Sequence, residues 1–152
     1  MTPHERCEAA LAGRPVDRPP RYIPGIACDV ASALLGRPVH TGTGSLHYAE
    51  TLALLRGEAA HREFEEAHFQ ALDDLNRRFD VDVFREPWRQ MSKPARQLDE
   101  FRFLFGDPDG DYTVYQYCPE SGDFGPVETH RTRPADPEAE LAAHVAAREA
   151  EA

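Results

Sequence analysis

The fold expected from the sequence is decided by the stretch Arg78-Phe79-Asp80-Val81-Asp82-Val83-Phe84. Residues 46–79, which lead into it, carry apolar side chains at spacings of three and four, and this period predicts a helical segment with a break at Gly57. Val81, Val83 and Phe84 then predict a short buried strand. A helix followed by a buried strand is typical of an α/β fold. The core face predicted for the helix comprises Phe64, His68, Ala71, Leu72, Leu75 and Phe79.

Local signals predict further elements on both sides of that stretch. A capping box of Thr2 and Glu5 starts a first helix, which Gly13 ends. Asp29 is expected to cap a second helix that ends at Gly36. The remaining predictions are an extended segment at 14–20, a brief strand at 22–23, strands at 101–105, 112–117 and 126–132 joined by turns at 107–110 and 121–123, and a last helix over 137–152.

The length and composition exclude several classes of protein. The chain has 152 residues, which suits one domain, and a formal net charge of -10. This acidic balance argues against a nucleic-acid binder and against binding to an anionic membrane surface. No apolar stretch approaches the ~20 residues needed to span a bilayer, and no apolar signal segment follows the first residues. The three cysteines match no zinc-finger spacing and favour a reduced, cytoplasmic setting, with Cys28 and Cys118 expected to be buried and unreactive.

The loop that follows the predicted strand is the candidate site for a substrate. Trp88, flanked by Arg85 and Arg89, offers an aromatic plane and two guanidinium groups, which suit a planar or carboxylated small molecule. Loops at the carboxyl ends of barrel strands are where α/β barrel enzymes place their chemistry. The alternative is a surface loop that Trp88 anchors, and the residues alone weigh the two interpretations equally.

Two other motifs give weaker signals. His61, Glu65 and His68 share one helix face and include a Glu-x-x-His spacing, but no second helix offers matching carboxylates. Because His68 lies on the apolar stripe, we expect a packed core histidine and no metal site. The Gly-rich loop at 41–45 lacks a following lysine, so we interpret it as a capped loop rather than a phosphate site.

Two stretches of the chain resemble the uroporphyrinogen decarboxylase superfamily, which includes cobalamin-dependent methyltransferases. Residues 1–6 and 9–20, Met-Thr-Pro-His-Glu-Arg and Ala-Ala-Leu-Ala-Gly-Arg-Pro-Val-Asp-Arg-Pro-Pro, look like its amino-terminal signature. Residues 78–84 look like the first helix–strand approach of its barrel. The resemblance implies a (β/α)8 TIM barrel, which takes ~250 residues. We therefore expect residues 1–152 to be the amino-terminal portion of such a barrel, with amino-terminal helices, the first barrel strand and a β-hairpin insertion.

Departures from the family pattern indicate which branch the chain resembles. Decarboxylases have arginines, which bind the propionates of a tetrapyrrole, at positions where this chain has Gly25 and Asp29. The branch that performs corrinoid-linked methyl transfer to a thiol is therefore favoured over decarboxylation of uroporphyrinogen. Glu86 stands where decarboxylases place a catalytic aspartate, so the resemblance implies that Glu86 is catalytic. The substrate-binding residues expected beside it are Arg85, Trp88 and Arg89.

The resemblance also sets the expected cofactors and partners. The methyltransferase branch holds zinc with a His-x-Cys pair and a later cysteine, and no His-x-Cys occurs in this chain. We therefore expect no cofactor on this chain alone, with zinc and a corrinoid required only in the full-length methyltransferase. The expected partners are a small-molecule substrate, a corrinoid protein or completing chain, and a second copy of the chain. The alternative is a non-catalytic α/β binding or subunit module that completes a barrel with another chain.

Overall fold

The computed structural model describes residues 1–83, 91–132 and 136–150. Within these residues four helices precede a sheet of four strands, and a further helix follows it. No helix of the described residues is both long and apolar enough to cross a membrane. The elements are α1 (Pro3–Leu11), α2 (Cys28–Leu35), α3 (Thr43–Arg56), α4 (Glu58–Arg78), β1 (Arg96–Gln97), β2 (Arg102–Gly106), β3 (Tyr112–Cys118), β4 (Asp123–His130) and α5 (Pro137–Ala150).

Most of the predicted helix limits are confirmed, because short-range signals set them. The side chains of Thr2 and Glu5 each accept a hydrogen bond from the other's backbone N–H, which forms the capping box of α1. Gly36 ends α2 in the left-handed conformation, at φ 68°. Gly57, at φ 112°, separates α3 from α4. The cap predicted at Asp29 is wrong, because α2 already begins one residue earlier and has no side-chain cap.

The helical core lies between α2 and α4. Ala31 on α2 and Ala71 on α4 are completely buried, and such small side chains let the two helices approach closely. Leu75 and Val39 complete the buried set. The apolar stripe predicted for α4 is thus confirmed as a core face. Partly buried side chains packed around this core are Ile26, Leu34, Leu35 and Phe79.

The four strands form an antiparallel sheet in the order β1-β2-β3-β4. The strands predicted at 101–105, 112–117 and 126–132 correspond to β2, β3 and β4, whereas β1 was not predicted. Phe103 lies opposite Tyr115 in the ladder, and Leu104 lies opposite Val114.

Aromatic side chains attach one face of the sheet to α3. The ring of Tyr48 stacks on Tyr117 with a centroid distance of 4.1 Å and meets Phe103 edge-on at 5.8 Å. Phe103 is completely buried and also contacts Phe124 edge-on at 5.9 Å. Full burial of such a side chain contributes about 1.5–3 kcal/mol, so these rings are a main source of cohesion between helix and sheet.

The predicted partial (β/α)8 barrel is wrong for the described residues. Every described strand pair is antiparallel, and the strands come after the first four helices. A barrel needs parallel strands that alternate with helices. The observed order, helices and then an antiparallel sheet, is that of an α+β fold rather than an α/β fold. The hairpin expected as a barrel insertion is instead part of the four-stranded sheet.

The strand predicted at 81–84 is not formed by its described residues. Val81, Asp82 and Val83 have no strand partner; the backbone N–H groups of Asp82 and Val83 both donate to the carbonyl of Arg21. Val83 is 39% exposed, whereas the side chain of Asp82 is completely buried. The segment therefore points its carboxylate, rather than its valines, into the protein, because arginines there supply hydrogen bonds. Phe84 lies outside the described residues, and the strand predicted at 22–23 is also absent.

Candidate functional site

The predicted catalytic and substrate-binding residues lie outside the described residues. They are Arg85, Glu86, Trp88 and Arg89, all within residues 84–90. The structure describes both flanks of this segment, which end at Val83 and resume at Met91. The contacts of these two flanks define the surroundings in which residues 84–90 begin and end.

A network of arginines and aspartates holds the flank before residue 84. The carboxylate of Asp82 accepts hydrogen bonds from the guanidinium groups of Arg6 and Arg18, and from the backbone N–H of Arg21 at 2.8 Å. Arg6 also donates to both oxygens of Asp17, at 2.7 and 2.9 Å. The side chains of Asp82 and Arg6 are 0% and 7% exposed. Charges this deeply buried persist because each is paired and hydrogen-bonded on several sides.

The pKa values of the network show that it is ionised at neutral pH. Burial by itself raises the pKa of Asp82, but hydrogen bonds from Arg21, Arg18 and Arg6 outweigh it and leave the pKa lowered. The guanidinium of Arg6 holds the pKa of Asp17 well below its usual range. The lowered pKa values keep both carboxylates charged near pH 7, so their charge-assisted hydrogen bonds hold the chain at Asp82.

A surface cavity of about 360 Å³ lies at the other flank. Met91 and Ser92, the first described residues after 84–90, form part of its wall. Aromatic side chains together with a guanidinium and a carboxylate suit a small polar molecule with an apolar body. The described chain therefore resumes, after residues 84–90, at the wall of this cavity. The remaining lining residues are Phe105, Gly106, Asp111, Thr113, Tyr115 and Arg131.

The two histidines of α4 do not converge on one site. His68 is 7% exposed, and its Nδ1 donates to the carbonyl of His40 at 2.6 Å, so the prediction of a packed core histidine is confirmed. His61 instead contacts Glu50 on α3, with 3.3 Å between Nε2 and Oε1. Among the described residues, no group of three or more histidine, cysteine, aspartate or glutamate side chains could hold a metal ion.

The Gly-rich segment at 41–45 is a packing contact. A Cβ added to Gly44 would lie 2.1 Å from the backbone nitrogen of Phe124, and one added to Gly42 would lie 2.8 Å from the carbonyl oxygen of Ile26. The absence of a side chain at Gly44 therefore lets the start of α3 lie directly against the backbone at the end of the β3–β4 turn, and its absence at Gly42 allows close approach to the backbone of Ile26.

The cysteines form no disulfide and are partly buried, rather than buried as predicted. The thiol of Cys28 donates to the carbonyl of Gly42 at 3.0 Å, and the thiol of Cys118 donates to Glu120 at 3.2 Å. Neither contact is with a histidine, lysine or arginine, the side chains that stabilise a reactive thiolate.

Comparison with known proteins gives no match: no protein-family model, curated protein or solved structure is similar to the chain.

Sequence reasoning missed the buried carboxylate of Glu50. This residue lies three positions before Ala53, and both are buried on the same side of α3. A glutamate on the apolar face of a helix was a usable signal, because a buried carboxylate needs a partner. The partner, His61, lies on the next helix, and only the packing of α3 against α4 reveals it.

Proposed function

We propose that the chain is the amino-terminal region of a small-molecule enzyme of the uroporphyrinogen decarboxylase-like type. One observation carries this proposal. The network pairs Arg6 and Arg18, from the stretch that resembles the family's amino-terminal signature, with Asp80 and Asp82, from the second resembling stretch. The paired residues are 62 to 76 positions apart in sequence, and a shared role in holding the chain just before residue 84 accounts for their pairing.

The charges favour corrinoid-linked methyl transfer to a thiol over decarboxylation. Asp29 is exposed at the start of α2, where the decarboxylase pattern has an arginine for a propionate. A carboxylate there repels a polycarboxylate substrate instead of binding it. The cavity beside Met91 offers one guanidinium, from Arg131, which suits a substrate with a single acidic group.

The described residues do not fit the zinc site of the methyltransferase branch. The chain has no His-x-Cys sequence, and no described cluster of side chains could hold a metal ion. In this proposal zinc and the corrinoid are held by another chain or domain, and the present chain supplies Glu86 as the catalytic side chain and Arg85, Trp88 and Arg89 as substrate contacts.

The test is an assay of the chain purified together with the product of the reading frame that follows it. We expect methyl transfer from methylcobalamin to a small thiol, and no decarboxylation of uroporphyrinogen. Glu86→Gln is expected to lower turnover by ~10²-fold or more, because it removes an ionisable group from the reacting centre. Glu66→Gln, an exposed carboxylate on α4, is the matched control and should leave turnover unchanged.

A non-catalytic binding module is the second candidate, and the antiparallel sheet favours it. Each of the four strands pairs with a neighbour in the same antiparallel sheet, and the sheet packs on α3. The core of this unit therefore forms without parallel strands from another chain. Its expected partners are a second copy of the chain or another protein. Absence of methyl transfer in that assay, together with downstream sequence that lacks His-x-Cys, would support this function and exclude the enzyme.

A further inference from the structure

A second cavity, of about 380 Å³, opens where α3 ends and α4 begins. It shares no lining residue with the cavity beside Met91. Gly57 forms its floor at the junction of the two helices, and a Cβ added there would meet nothing within 4 Å, so the space is open. The lining residues are Leu54, Gly57, Glu58, His61, Arg62 and Lys93.

One wall of this cavity is fixed from behind by a buried carboxylate. The side chain of His61 is 15% exposed, and its Nε2 lies 3.3 Å from Oε1 of Glu50, whose side chain is 5% exposed. On the other edge of the ring, Nδ1 lies 3.8 Å from Oε2 of Glu65. The hydrogen bond to Glu50 orients the ring, so the cavity has a preformed polar wall.

Two cationic side chains, those of Arg62 and Lys93, also line this cavity. Within the described residues neither Arg62 nor Lys93 has an acidic partner, whereas Arg77 and Arg102 each pair with an aspartate. Lys93 is also the one lysine in the sequence. Two such cations on a concave surface raise the local concentration of anions, even in a chain whose net charge is -10.

We propose that this cavity binds a small anion with a carboxylate or phosphate group. Arg62 offers a planar fork of donors and Lys93 a point charge, and both groups bind these anions well. Glu58 also lines the cavity, and its carboxylate opposes an anionic ligand. This site goes beyond the proposed function, and the proposal does not depend on residues 84–90.

The experiment is a titration of the intact chain, followed by backbone amide NMR, with inorganic phosphate and separately with succinate. At low ionic strength we expect saturable shifts concentrated at Gly57, His61 and Lys93 for at least one of the two probes. The probe that binds more tightly identifies the acidic group. Added salt should weaken binding, because both cations are exposed.

Matched variants decide whether these side chains form the site. Arg62→Gln and Lys93→Gln are each expected to weaken binding about tenfold, because each removes a positive charge that attracts the anion. Glu58→Gln is expected to strengthen binding, because it removes a negative charge that repels the anion. Arg14→Gln, at an exposed arginine outside the cavity, is the control and should change nothing. The proposal is overturned by chemical shifts that do not saturate with either probe. It is also overturned if the double variant Arg62→Gln/Lys93→Gln binds the probe as tightly as the parent.

Discussion

Replacing Gly44 with alanine sets helix propensity against a steric clash, and the structure shows which effect wins. In a helix interior alanine is favoured over glycine by about 1 kcal/mol. The added Cβ, however, would lie 2.1 Å from the backbone nitrogen of Phe124 and 2.5 Å from the carbonyl oxygen of Gly122, far inside the 3.0 Å that real contacts keep. Overpacking typically costs about 1–3 kcal/mol, and here the obstacles are backbone atoms that cannot rotate away.

We therefore expect Gly44→Ala to lower the free energy of unfolding by about 2 kcal/mol or more, and Tm by roughly 4–8 °C for a chain of this length. Urea and thermal unfolding followed by circular dichroism measure both. Gly25→Ala is the matched control, because a Cβ there meets nothing within 4 Å and should be neutral or slightly stabilising. If Gly44→Ala were as stable as the parent, α3 could not lie against the β3–β4 turn as described.

Three further predictions follow from the paired polar groups. Since folding lowers the pKa of Asp17 and Asp82, the stability that these carboxylates contribute is complete above their unfolded pKa of about 4 and is lost as the pH falls below that value. The urea midpoint should therefore decline below about pH 4, and it should decline less steeply in Asp82→Asn. A urea midpoint that rises on acidification would contradict the network. His68→Ala should lower the free energy of unfolding by about 2 kcal/mol, because a packed ring and its hydrogen bond to His40 are lost. The zinc content of the dialysed protein, measured by mass spectrometry, should be negligible before and after that substitution; zinc lost with His68 would show a metal site instead.

Helix limits and hairpins could be predicted because their causes lie within a few residues. The capping box of Thr2 and Glu5 is complete within one helical turn, and Gly36 and Gly57 end helices through their own backbone freedom. The turn at 107–110 likewise carries its signal locally, with Asp107 accepting from the backbone N–H of Asp109. Such elements need no knowledge of the rest of the chain.

The strand predicted at 81–84 failed because its alternation of apolar and acidic residues allows either face to be buried. Val81 and Val83 occupy one face and Asp82 the other, and hydrophobicity alone selects the valines. The structure buries Asp82 because Arg6 and Arg18 lie beside it, although they are 76 and 64 residues away in sequence. No local pattern carries that information. The predicted barrel, which depended on this strand, failed for the same reason.

The near-absence of lysine has a structural consequence in this network. Arg6 donates at once to the carbonyl of Met1 and to the carboxylates of Asp17 and Asp82, which lie in different directions around it. A guanidinium can do this because its five N–H donors lie in a rigid plane, whereas an ammonium offers one compact charge. Lysines in place of these arginines would neutralise the charge of Asp82, but they would not fix the orientation of its carboxylate. The position of the chain at Asp82, just before residue 84, therefore depends on the shape of the arginines as well as on their charge.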